Sequence, residues 1–129
     1  MPLNTMVNFV AVACGGALGA CARYTLYLLA SGADSRLPIG TVAANLSGAF
    51  LAGALFTALH AKGLGNSPIY LLLVTGFLGG FTTLSAFSLE TLKLIESGAV
   101  AVAILNVLIT VVGALLAVAL GSWIVRLAL

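Results

Sequence analysis

The chain has 129 residues, of which 62% are hydrophobic and 6% charged, with a formal net charge of +2. A water-soluble domain of this size carries roughly a quarter of its residues as charged surface, so the composition excludes one. The apolar character runs over the whole length, which makes lipid the solvent and predicts an all-α integral membrane protein.

Four spans are predicted, Met6–Ala30, Pro38–Ala61, Pro68–Ile95 and Gly98–Leu127, together one transmembrane domain over 1–129. Each exceeds the roughly 20 residues that cross a hydrocarbon core about 30 Å thick. The connections Ser31–Leu37, Lys62–Ser67 and Glu96–Ser97 are short and hold turn-forming residues. The first apolar stretch is longer than the about 7–15 residues of a signal-peptide core and is expected to remain as a span.

Span 1 carries Cys14 and Cys21, seven positions apart. On one helix that separation is about 10 Å, beyond the about 7 Å a disulfide tolerates, so both are expected to be apolar fillers. Gly15 and Gly19 form a GxxxG pair suited to close approach of two helix backbones. Arg23 follows and cannot shed its proton, so it must find water, a carboxylate or an aqueous vestibule. Snorkelling to the interface is one reading; a fixed charge that concentrates anions at a pore mouth is the other.

Span 2 opens at Pro38, and Thr41, Asn45, Gly48 and Ala52 follow at steps that place them on one small, polar face. Asn45 offers a neutral N–H donor deep in the bilayer, suited to an anion or to an interhelical hydrogen bond.

Span 3 is the most informative. Gly79-Gly80 followed by Phe81-Thr82-Thr83 is poor helix at mid-membrane, and a helix break is expected there. Broken backbone survives at that depth only when buried in protein or lining an aqueous cavity, and freed carbonyls can coordinate a cation. Beyond the break Thr83 and Phe87 share a face, with Leu84 beside them, and Glu90 lies toward the end of the span. Span 4 is mostly aliphatic, with a small-residue stripe at Gly113, Ala117 and Gly121 and a polar pair at Asn106 and Thr110. Trp123 is placed as an interfacial anchor.

With four spans, Lys62 and Arg126 fall on one side of the membrane and Arg36 and Lys93 on the other. The positive-inside rule needs an imbalance, and this chain has almost none. Insertion in both orientations is expected, and with it a two-fold axis in the membrane plane relating two copies of one chain.

The run Gly76-Phe77-Leu78-Gly79-Gly80-Phe81-Thr82-Thr83-Leu84-Ser85-Ala86-Phe87-Ser88 closely resembles the signature of the Fluc (CrcB) fluoride channels. Gly40-Thr41 with Asn45 and Gly48, and Gly15-Gly16 with Gly19-Ala20 and Arg23-Tyr24, resemble it as well. The resemblance covers essentially the whole chain. It implies a dual-topology antiparallel homodimer, or a heterodimer with a paralogue, in the cell inner membrane. That dimer would have two pores for passive efflux of fluoride and a structural Na⁺ at its centre. Carried over, the backbone carbonyls of Gly79 and Thr82 would hold Na⁺. Asn45, Phe87, Leu84, Thr83, Ser85, Thr41 and Thr110 would line the fluoride path, with Arg23 and Glu90 at its vestibule. Leu84 stands where the family usually has its first pore phenylalanine. As aligned on that resemblance, Ala114 and Val118 replace hydroxyl residues on span 4, and Thr110 a larger polar or aromatic one.

Two other functions compete. A small multidrug transporter needs a membrane-buried carboxylate in span 1, and span 1 has none; Glu90 is the only acid in the chain placed for proton coupling. A non-transporting scaffold would use the glycine stripes but leaves Arg23, Asn45 and the break without a purpose. No nucleophile–base pair or metal cluster suggests an enzyme.

Overall fold

The computed structural model describes residues 3–129, all of it helix and connecting turn. Helix α1 spans Leu3–Ala30 and α2 spans Ile39–Ala61. The third span begins at Ser67, whose hydroxyl accepts from the Tyr70 amide (3.3 Å), with Pro68 in the first turn where its missing N–H is harmless. Three segments then run on without interruption, α-helical Pro68–Tyr70, π-helical Leu71–Leu78 and α-helical Gly79–Phe81; together they form α3, residues 68–81. Helix α4 spans Leu84–Glu96 and α5 spans Val100–Ala128. After α2 and α4 the chain turns through Gly63 (φ 70°) and Gly98 (φ 81°), in the left-handed region where a Cβ is unfavourable.

The break between α3 and α4 is at Thr82 and Thr83, both extended (φ −86°, ψ 156° and φ −153°, ψ 122°). The two glycines that announced it are themselves helical. Gly80 serves packing instead, while a Cβ on Gly79 would meet nothing within 4 Å. A Cβ on Gly80 would overlap the Gly16 carbonyl, and one on Gly76 would sit 2.7 Å from the Val12 carbonyl. Conversely, Cβ atoms on Gly15 and Gly19 would overlap the carbonyls of Leu72 and Phe77. The GxxxG pair of α1 therefore faces α3 of the same chain, at backbone-to-backbone distance.

The helices form two close pairs. α1 lies along α3, and α2 lies along α5, where Gly53 meets the backbone of Val118 and Gly121 that of Phe50. α1 and α2 join the pairs. After the break, α4 leaves α1 and packs on α5. The two halves of the third span thus belong to opposite sides of the bundle, with the break between them.

All four spans are long and apolar enough to cross a membrane, from Asn4–Ala30 to Val100–Ala128. Large apolar side chains such as Phe9, Leu29, Leu115 and Leu127 are exposed, as lipid-facing residues are. The core is thin and small: Ala44, Leu78 and Ala103 are buried, and so are four polar residues, Thr41, Asn45, Asn106 and Thr110, of which Asn106 is fully enclosed.

Candidate functional site at the broken third span

In a continuous helix the Thr83 amide would donate to the Gly79 carbonyl and the Ala86 amide to that of Thr82. Here the Thr83 amide donates to Asn45 Oδ1 (2.7 Å), and the Ala86 amide to Thr83 Oγ1 (3.1 Å). The carbonyls of Gly79 and Thr82 are thereby released from their i+4 donors. Asn45 closes a second bond from Nδ2 to the Thr83 carbonyl (3.0 Å). One side chain of α2 so grips both backbone groups of Thr83. Gly48, one turn further along α2, leaves room for the break: a Cβ there would overlap Thr82 Cγ2.

The break juxtaposes two unlike helix ends. α3 presents carbonyls, and α4 presents amides. Thr83 caps α4 and satisfies the Ala86 amide, while the amides of Leu84 and Ser85 precede the first intrahelical bond. The carbonyl end carries partial negative charge and the amide end partial positive charge. Thr83 Oγ1 and Ser85 Oγ lie 3.1 Å apart and share one hydrogen bond. Two hydroxyls sharing one bond leave one O–H free to donate.

Beside the break an open groove of about 570 Å³ runs between α2, the third span and α5. Asn45, Gly79, Thr82, Thr83, Leu84, Phe87 and Thr110 all line it, so the structure brings together seven of the residues singled out in the sequence. Phe87 is nearly buried (8% exposed), whereas Leu84 is 75% exposed. Ala114 and Val118 line the same groove and leave its α5 wall apolar.

Of the remaining predicted residues, Ser85 pairs with Thr83 at the break, and Thr41, Glu90 and Arg23 lie outside the groove. Thr41 Oγ1 donates to Glu90 Oε1 (2.8 Å) beside a separate hollow of about 220 Å³ under the first loop. The second carboxylate oxygen of Glu90 is buried and has no hydrogen-bond partner among the described residues. Arg23, half-buried, donates from Nε to the Gly80 carbonyl (3.1 Å) in the last turn of α3.

Sequence reasoning missed a buried polar chain behind Phe87. Asn106, fully buried, donates from Nδ2 to Thr91 Oγ1 (3.0 Å), and Thr91 donates to the Phe87 carbonyl (2.7 Å). Thr110 donates to Asn106 Oδ1 at 3.5 Å. The i,i+4 pair of Asn106 and Thr110 was the available signal; Thr91, on another span, carried none.

The donors and acceptors at the break are neutral and oxygen-rich on one side, neutral and proton-rich on the other. Residues 10–122 match the family described as "CrcB-like protein, Camphor Resistance (CrcB)". The chain belongs to the CrcB family. It is 38% identical over 125 residues to a fluoride-specific ion channel FluC of Ruminiclostridium cellulolyticum, covering 96% of each chain. It is 43% identical to the protein of that name from Chelativorans sp., over 94% of this chain and 98% of the relative. For the one from Bordetella petrii the identity is 45%, over 89% and 88%. In this chain of the CrcB family the third span breaks at Thr82 and Thr83, directly after Gly79-Gly80-Phe81, and is gripped there by Asn45.

Proposed function

We propose that this chain is a subunit of a fluoride-selective channel that lets fluoride leave the cell passively, without chemical turnover. The observation that carries the reading is the α4 end of the break. Free amides at Leu84 and Ser85, the uncommitted hydroxyl proton of the Thr83–Ser85 pair and the second N–H of Asn45 Nδ2 lie beside a groove lined by Phe87. Fluoride is small and holds its water tightly, so a pore must replace that water with donors. Uncharged donors do so without trapping the ion as a fixed cation would. The Phe87 ring adds its electropositive edge. The relatives' name, fluoride-specific ion channel, supports the same permeant.

The open groove requires a cover, since non-helical backbone at membrane depth is stable only inside protein or against an aqueous cavity. An antiparallel homodimer supplies one, with two pores related by an axis in the membrane plane. The balanced cations of the loops favour it. The carbonyls of Gly79 and Thr82 are neutral, oxygen-only ligands that suit a hard monovalent cation. Two from each copy would hold a Na⁺ that ties the breaks together. Thr41 and Glu90 would then form the vestibule at the first-loop end. The leucine at position 84 and the apolar α5 wall favour a second arrangement, in which a paralogue replaces one copy and supplies the better pore. The cell inner membrane is the site of action this function implies.

Proteoliposomes loaded with KF test the reading. Added valinomycin should release fluoride, while chloride-loaded vesicles should release little. Absence of fluoride release, by the chain alone and together with any neighbouring paralogue, removes the channel reading.

A further inference from the structure

We propose that Arg23 is a positioning residue whose Nε–H closes the Gly80 carbonyl at the end of α3 and so fixes the break, rather than a binding site for the passing ion. Gly80 is in the last turn of α3, where the carbonyls have no following donor. The Leu78 carbonyl is served by the amide and hydroxyl of Thr82, each at 2.9 Å. The Gly79 carbonyl is released by Asn45. The Gly80 carbonyl is taken by Arg23 Nε at 3.1 Å, a charge-assisted bond at the negative end of a helix dipole. The glycines of α1 deliver it. Gly80 rests on the backbone of Gly16 and Ala20, and Arg23 is one turn further along the same face of α1. Arg23 on α1 and Asn45 on α2 therefore hold the two sides of the same break. The first fixes the last turn of α3 and the second fixes Thr83.

A vestibule charge and a backbone clamp respond differently to substitution. In Arg23→Gln the side-chain N–H falls at the same chain length as Nε, without the charge; in Arg23→Met both are gone. Selective labelling reads the bond directly. With ¹³C-carbonyl glycine and ¹⁵N-phenylalanine, the only labelled peptide bonds in the chain are Gly76–Phe77 and Gly80–Phe81. Nitrogen–carbonyl NMR of the protein in lipid should show the Gly80 signal moved in Arg23→Met and nearly in place in Arg23→Gln, with Gly76 steady as the control. Fluoride efflux should fall about tenfold or more in Arg23→Met and recover most of that in Arg23→Gln. The fluoride concentration for half-maximal flux should stay the same throughout. The flux arm rests on the fluoride reading, whereas the NMR arm stands without it. A Gly80 signal unmoved in both variants overturns the proposal. So does an equal loss in both, expressed as a raised half-saturation that added salt reproduces in the parent protein. If Arg23→Met does not fold, Arg23→Leu takes its place: a Gly80 signal moved in Arg23→Leu and nearly in place in Arg23→Gln upholds the clamp, and a signal unmoved in both overturns it.

Discussion

At the scale of single residues, the groove turns on Asn45 and Leu84. Asn45 was legible as a deep polar group, but its partner was not. The side chain reaches across 38 positions to the two backbone groups of Thr83, and no local pattern encodes which backbone it will meet. Arg23 is the same case: a charge in a span demands a partner, yet the sequence suggested water or a carboxylate where packing supplies the Gly80 carbonyl. Leu84 was legible as a departure, and the structure places it 75% exposed in the groove. That exposure leaves room for a ring. An aromatic edge contributes about 1 kcal/mol beyond its buried area, or roughly fivefold in an equilibrium. Leu84→Phe should therefore raise fluoride efflux severalfold in the KF vesicle assay. A drop would mean that the leucine fills a place the ring cannot.

At the scale of elements, the broken span could be read from composition but not located to the residue. Gly79-Gly80 looked like the weak point because glycine favours helix least among residues other than proline. Both glycines are nevertheless helical, since α1 lies so close that any side chain at Gly80 would collide with it. The chain gives way two residues later, at the β-branched pair, where side-chain acceptors from α2 and from Thr83 itself replace the lost backbone carbonyls. The π-helical stretch Leu71–Leu78 had no signature at all, because its wider turn is a response to packing and not to local preference. The α1 glycines allow a contrast within one helix. A Cβ at Gly16 meets only the Gly76 carbonyl at 3.9 Å, an ordinary contact, whereas one at Gly19 would overlap the Phe77 carbonyl. Gly16→Ala should leave thermal stability in detergent within about 1 kcal/mol of the parent. Gly19→Ala should lose about 2–3 kcal/mol and melt clearly lower. Similar melting of the two would show that α1 and α3 pack more loosely than described.

For the molecule as a whole, the count of spans and their all-helical nature followed from hydropathy and length. The pairing of α1 with α3 and of α2 with α5 did not, because glycine stripes say that two helices approach closely without saying which two. The near-even division of cations bears on how the chain enters the membrane. Gly32, in the first loop, has nothing within 4 Å of a Cβ and tolerates replacement. Cys14 and Cys21 are free and exposed and must be removed first. Gly32→Cys in that background should react with a membrane-impermeant thiol reagent in about half the molecules of intact cells, and in all of them after lysis. Complete or absent labelling in intact cells would establish a single orientation and exclude the antiparallel homodimer.

The division of the third span between two helix pairs has a mechanical result. Its first half rides with α1 and its second half with α5, so any tilt or slip of one pair against the other must be absorbed by Thr82 and Thr83. Bilayers differ in thickness, and helices tilt to match them. A change of lipid would thus be felt first at those two residues, where Asn45 on one side and Arg23 on the other hold the strap taut.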